Sequence, residues 1–174
     1  MERIIDNVYP EPLFNRLVGT VKRQYNTWDY NNDFGRYTIS TEQGAAFLKP
    51  YLNKSIDLAK NIFKSKTLDA SYSLASVYKK DFETVPNLPH HKDNNACTYT
   101  IDVCLFQDVP WGIWIEGKEY FLKPNQAIVI YGEEEEHWRE KFPNPESNTV
   151  GMLFNHYIEP EHWWHSGQRV VADE

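Results

Sequence analysis

Near residue 70 the apolar pattern of this chain changes period, and that change limits the possible folds more than any other feature. Before it, apolar residues recur at helical spacing: Leu13, Leu17, Val18 and Val21 in "PEPLFNRLVGTVKRQY", behind a proline suited to a first helical turn. A second helical stretch, "STEQGAAFLKPYLNKSIDLAKNIFKSK", carries Phe47, Leu48, Tyr51, Ile56, Ala59, Ile62 and Phe63 as its stripe. Ser40 or Thr41 is its candidate cap, and Pro50 is the expected kink. After residue 70 come short β-branched and aromatic segments: "ASYSLASVY", "TYTIDVCLF", "WGIWI", "EYFL", "AIVIY", "HWREKF" and "TVGMLFNHYI". Gly, Pro and Asn punctuate them. "WIEGKEYF" reads as a tight hairpin across Glu116, Gly117 and Lys118, and Pro124 with Asn125 as a turn into a buried strand. Two helical stretches followed by about seven short strands predict a mainly β fold with flanking helices (α+β), a jelly-roll or cupin-like double sheet with the N-terminal helices packed outside.

The length of 174 residues suits one domain, divided into a helical support region over 1–67, a β core over 70–158 and a C-terminal tail over 159–174. The aromatic share of 15% fits pleated sheets, on which aromatic rings pack well, and Trp111, Trp114 and Trp138 could wall a pocket. A net charge of −7 argues against sequence-independent nucleic-acid binding, which needs a cationic surface. No apolar run is long enough to span a membrane, and Met1 opens no signal-peptide pattern. Cys97 and Cys104, seven positions apart on one strand, would face opposite sides and stay reduced, which predicts a cytoplasmic protein.

The chemistry concentrates in "VPNLPHHKDNN". Residues two apart on an extended segment share a face, so His91 and Asp93 can point at one spot while His90 points away. Pairing His90 with Asp93 instead would need a turn between them. One His and one Asp hold a metal poorly, and His137, 44 positions beyond Asp93 and opening a candidate strand, can supply the third ligand. Two histidines and a carboxylate form the facial triad of non-haem Fe(II) oxygenases, which leaves open positions on the metal. In "EHWWH", His162 and His165, with Glu161, are a weaker second metal candidate. His156 reads as a structural strand residue, and Glu133 to Glu136 as a solvated acidic loop.

The stretch from "SVYKKDFETVPNLPHHKDNNACTYTIDVCLF" to "WGIWIEGKEYFLKPNQAIVIYGEEEEHWREKF" resembles the prolyl-hydroxylase-like branch of the Fe(II)- and 2-oxoglutarate-dependent oxygenases. The likeness covers roughly residues 70 to 158: a tyrosine-bearing strand, His-x-Asp, a strand ending in Leu-Phe, a hairpin, a turn before an apolar strand, and a second histidine. It implies a distorted double-stranded β-helix and iron bound by His91, Asp93 and His137. It also implies that 2-oxoglutarate and dioxygen are consumed, with succinate and carbon dioxide as co-products. The substrate would be a small molecule or a peptide side chain, and the oligomeric state is unreadable.

The sequence departs from that pattern in one respect. The family places an Arg or Lys on the last core strand to hold the far carboxylate of 2-oxoglutarate, and "NTVGMLFNHYI" has neither. Arg139 shares the face of His137 about 7 Å further along by strand rise, Lys141 is the reserve, and Tyr78 matches a position near the co-substrate. Two rival readings stay open: a cupin-like metal protein without 2-oxoglutarate turnover, and a non-enzymatic β-sandwich interaction module.

Overall fold

The computed structural model describes residues 2–162. It holds helices α1 (Glu11–Gln24), α2 (Lys49–Lys54) and α3 (Ile56–Phe63). Its strands are β1 (Ile4–Ile5), β2 (Asp29–Asn31), β3 (Arg36–Ser40), β4 (Asp69–Tyr78), β5 (Leu88–His91), β6 (Tyr99–Gln107), β7 (Ile113–Ile115), β8 (Lys118–Tyr120), β9 (Ala127–Ile130), β10 (His137–Arg139) and β11 (Val150–Ile158). They form two antiparallel sheets. One has seven strands in the order β1-β9-β6-β11-β4-β3-β2, and the other has four in the order β5-β10-β7-β8.

Two cores follow from the strict alternation of side chains along the long strands. On one face of the large sheet, Ala75, Val77, Ile101, Val103, Val129 and Leu153 pack against Leu17 and Val21 of α1 and against Leu48, Tyr51 and Ala59. On the other face, Tyr78, Cys104, Ile128, Ile130, Met152 and Phe154 meet Ile113 and Ile115 of the small sheet. Every residue of β11 is buried, because helices cover one of its faces and the small sheet the other. A polar network pins the helical layer down. Tyr157 and Ser55 hydroxyls meet at 2.5 Å, Asn155 donates to Tyr9 Oη at 2.8 Å, and Ser73 donates to Asn155 Oδ1 at 2.5 Å.

The mainly β architecture with outer helices follows the sequence pattern, but the support region over 1–67 is not purely helical. β1 closes one edge of the large sheet, and β2 and β3 extend the other. The second helical stretch breaks at Ser55, whose side chain donates to Tyr51 and Leu52 carbonyls, while Pro50 sits harmlessly in the first turn of α2. Ser40 does form a capping box with Gln43, but on an isolated single turn. The β7–β8 hairpin turns on Glu116 and Gly117, with φ of 47° and 79°, the positive values a tight two-residue turn demands. No described helix is long and apolar enough to cross a membrane.

Candidate metal centre

β5 and β10 are antiparallel neighbours, and their register sets His91 directly opposite His137. Asp93 lies just past the end of β5, where its N–H donates to Gly132 O at 2.8 Å and draws the chain back across the sheet opening. The carboxylate therefore points at both rings: Asp93 Oδ1 is 3.5 Å from His91 Nε2 and 3.6 Å from His137 Nε2. One ligand atom from each of the three residues lies within 4.8 Å of the others. His90 points away, its ring stacked 3.8 Å from Trp138 on the outer face of the small sheet.

The backbone fixes the histidine tautomers. His91 Nδ1 lies 2.8 Å from Pro89 O and His137 Nδ1 3.0 Å from Glu135 O. A carbonyl only accepts, so each Nδ1 carries the proton and each Nε2 presents a lone pair to the centre. Metal-binding histidines are commonly held in this way. Burial works against the charge on Asp93, but the contacts of His137 and His91 outweigh it and hold the carboxyl well below its usual range. Burial likewise opposes protonation of His137, and Asp93 more than offsets it, so that ring is raised. The residues fit a divalent cation: two imidazole nitrogens and one ionised carboxylate, converging with open space before them.

That space is a cavity of about 150 Å³, lined among others by Arg36, Tyr72, Asp93, Cys97, Asp102, His137 and His156. Five of these, Arg36, Tyr72, Cys97, Asp102 and His156, escaped the sequence reading as site residues. Asp102 is 5% exposed, its Oδ1 lacks a hydrogen-bond partner, and burial followed by the charge of Asp93 pushes it up to about 7. Burial pushes His156 down to about 4, so it is a neutral ring. The available signal was alternation. Thr100, Asp102 and Cys104 share one face of β6, and a carboxylate on an inward face of "TIDVCLF" is anomalous for a core strand.

The co-substrate candidates divide. Arg139 points into the core between the sheets and is 4% exposed, and neither it nor Tyr78 lines the cavity. Its Nη1 donates to Trp111 O at 2.6 Å, its guanidinium lies 4.9 Å from the Trp111 ring centre, and its Nε has no partner. Burial lowers its pKa, and it makes no ion pair with the acidic run. In that run Glu135 instead pairs with Arg3 at 2.8 Å. Tyr78 is fully buried, takes a hydrogen bond from Arg36 Nη1 at 2.9 Å, and packs edge-on against Trp111. Lys141 is not brought into the site: β10 ends at Arg139, and Lys141 is exposed along the outer cleft beside His90 and Trp138. Trp111, Trp114 and Trp138 do not line the cavity before the triad. Trp111 packs in the inner core on Tyr78 and Phe142, and Trp114 and Trp138 stack on the outer face. Cys97 and Cys104 are both free, and Cys97 precedes β6 rather than sharing it. Of the "EHWWH" candidates, His165 lies outside the described residues.

No protein-family model matches the sequence, and no curated protein matches it. Solved structures do. A prolyl-4-hydroxylase from Pseudomonas putida superposes with a TM-score of 0.68 over 90% of this chain and 91% of that one, at 14% identity. SnoN, a non-heme alpha-ketoglutarate-dependent epimerase from nogalamycin biosynthesis, gives 0.72 over 90% and 77%, at 9% identity. The viral collagen prolyl hydroxylase of Paramecium Bursaria Chlorella virus-1, solved as its 2OG complex, gives 0.60 over 88% and 93%, at 13% identity. The chain has the double-stranded β-helix fold of the prolyl-hydroxylase-like oxygenases.

Proposed function

We propose that this chain is an Fe(II)- and 2-oxoglutarate-dependent dioxygenase, a hydroxylase of an amino acid, a peptide side chain or a small metabolite. The observation that carries the reading is the convergence of His91, Asp93 and His137 inside this fold. These three residues would hold the iron. Iron, 2-oxoglutarate and dioxygen together supply the oxidising chemistry, with succinate and carbon dioxide as co-products. The protein contributes orientation and a shaped wall. The carbonyls of Pro89 and Glu135 hold the rings, and Leu74, Leu88 and Phe154 supply the apolar part of the cavity wall.

Arg139 is the proposed anchor for the far carboxylate of 2-oxoglutarate, with Tyr78 beside it. A buried guanidinium with an unpartnered Nε and no ion pair is costly, and an anion relieves that cost. Arg36, at the cavity wall, is the cation facing an incoming substrate. With two free thiols, a reducing, cytoplasmic setting fits.

A cupin-like metal protein without 2-oxoglutarate turnover is the second reading. Asp102 favours it, because a carboxyl in the cavity wall disfavours a dianionic guest whenever it ionises. Anaerobic addition of Fe(II) and then 2-oxoglutarate separates the two. A visible charge-transfer absorption and later succinate formation in air are expected of the dioxygenase. Iron-loaded protein that yields neither is the cupin-like protein.

A further inference from the structure

His156 is held in the same manner as the two triad histidines, although neither the fold likeness nor the triad requires it. Its Nδ1 lies 3.2 Å from Tyr72 O, so Nδ1 carries the proton and Nε2 presents a lone pair. Tyr72 stacks on the ring at 4.3 Å and fixes its plane. The ring lines the same cavity as Asp93 and Cys97, and one ligand atom from each of the three lies within 4.8 Å of the others. We propose that Asp93, Cys97 and His156 form a second cation position beside the triad, suited to a thiophilic divalent ion such as zinc or cobalt, with Asp93 shared between the two positions.

The donors set the choice of ion. Sulfur, imidazole nitrogen and carboxylate oxygen together suit zinc and cobalt far better than magnesium or calcium, which take oxygen. Small side-chain movements bring donors at these separations onto one ion at the roughly 2.0–2.3 Å bonds of a zinc site, leaving a fourth position for water. Burial favours the neutral ring of His156, the form that ligates.

Cys97 is equally well placed. Its Sγ lies 3.1 Å from Tyr72 Oη and 3.6 Å from Asn94 Oδ1. The Tyr72 hydroxyl can donate to this sulfur, which supports a thiolate once an ion displaces the proton to solvent. Asp93 has an oxygen for each position. Oδ1 faces His91 and His137, while Oδ2 lies on the side of Gly132 and the Cys97 backbone. The other thiol, Cys104, sits in the apolar inner core and lines no part of the cavity.

The test is Co(II) titration of the full metal-free chain under nitrogen, read by absorption and by equilibrium dialysis. Cobalt bound to thiolate gives a near-ultraviolet charge-transfer band that the His-Asp-His cluster alone cannot produce. The wild type is expected to show this band on taking up a second equivalent. Cys97→Ser and His156→Gln should lose the band and the second equivalent while keeping the first; Cys104→Ser should keep both. The double variant His91→Ala/His137→Ala should lose one equivalent and retain the band. No thiolate band at saturating cobalt in the wild type overturns the proposal. So does a band that survives Cys97→Ser, or one that disappears from the double variant, which would make Cys97 a ligand of the triad ion. The dioxygenase reading fails on a different result, iron-loaded protein that forms no succinate, so the two are separable.

Discussion

Arg139→Met is the substitution in which the assigned roles separate most cleanly. Methionine keeps an unbranched chain of similar length and removes the charge. In the empty protein the change loses the 2.6 Å bond to Trp111 O and the contact with the Trp111 ring. A hydrogen bond from a charged group contributes about 1.5–3 kcal/mol, and a cation–π contact about 0.5–2 kcal/mol. Against this, the change also removes a fully buried guanidinium with an orphaned Nε, and replacing buried charge by apolar side chains is often neutral or stabilising by about 1–4 kcal/mol. The two sides nearly cancel. Metal-free Arg139→Met should therefore melt within about 2 kcal/mol of wild type, or roughly 4–8 °C for a chain of this size.

Co-substrate binding should respond very differently. Taking away one partner of a buried charge pair costs about 2–5 kcal/mol, which is roughly 30-fold to several thousand-fold in affinity. The assay is anaerobic titration of 2-oxoglutarate into iron-loaded protein, with iron retention measured separately by dialysis. Retained iron, a near-normal melt and a collapse in 2-oxoglutarate affinity are expected. An affinity within about threefold of wild type refutes the anchor assignment, and a melting loss well beyond 10 °C would make Arg139 a structural pin.

Three further outcomes follow. His91→Ala, Asp93→Ala and His137→Ala should each abolish stable Fe(II) binding in equilibrium dialysis and end turnover, whereas His90→Ala should stay within a few-fold, since His90 stacks on Trp138 outside the site. Gly132→Ala should weaken Fe(II) binding by about 10- to 100-fold in the same dialysis, as disturbed metal surroundings do, because an added Cβ would meet Cys97 O at 2.2 Å and Asp93 Oδ2 at 2.5 Å. Asp102→Asn should flatten the pH dependence of metal-free stability, read from urea midpoints at pH 4.5 and 8. The folded pKa of Asp102, about 7, lies above its unfolded value. An unfolded chain therefore gives up that proton first, and the wild type loses stability as pH rises from about 4 to 7, by at most about 4 kcal/mol. Equal slopes in the two proteins would show that Asp102 is not the group responsible.

The fold was legible where one physical signal dominated. The period change at residue 70 marked the β core, and α1 announced itself by spacing and by its leading proline. β2 and β3 were not legible, because "DYN" is a strand only through pairing on β3, and the alternation of Tyr37 and Ile39 in "RYTIS", which pairs on β4, is too short to stand out beside the helical stretches. The geometry of the centre was readable in part. The i, i+2 rule separated His91 from His90, and distance along the chain left His137 as the partner. The remainder of the wall comes from residues that only the sheet order assembles. His156 on β11 and Cys97 before β6 become neighbours of Asp93 through register, and Arg36 arrives on β3 from a stretch without any signature. Lys141 was misplaced because the strand was read through to Phe142. The ladder with β5 shifts between His137 and Arg139, and β10 ends there.

That shift has a consequence for evolution by insertion and deletion. Between the pairs His137↔His91 and Arg139↔Leu88, a single residue on β10, Trp138, faces two on β5, Pro89 and His90. The surplus residue lets His91 face His137 although Leu88 already faces Arg139; the phase of His91 with Asp93 is set instead by Lys92, the one residue between them. Loss of a residue at the bulge would restore a regular ladder that still sets His91 opposite His137, whereas loss of Lys92 would put His90 two residues before Asp93 and leave the wrong imidazole in phase with the carboxylate. Loop lengths elsewhere can drift among descendants of this sequence, but the count from His91 to Asp93 is a frame that selection on the centre must hold to the residue.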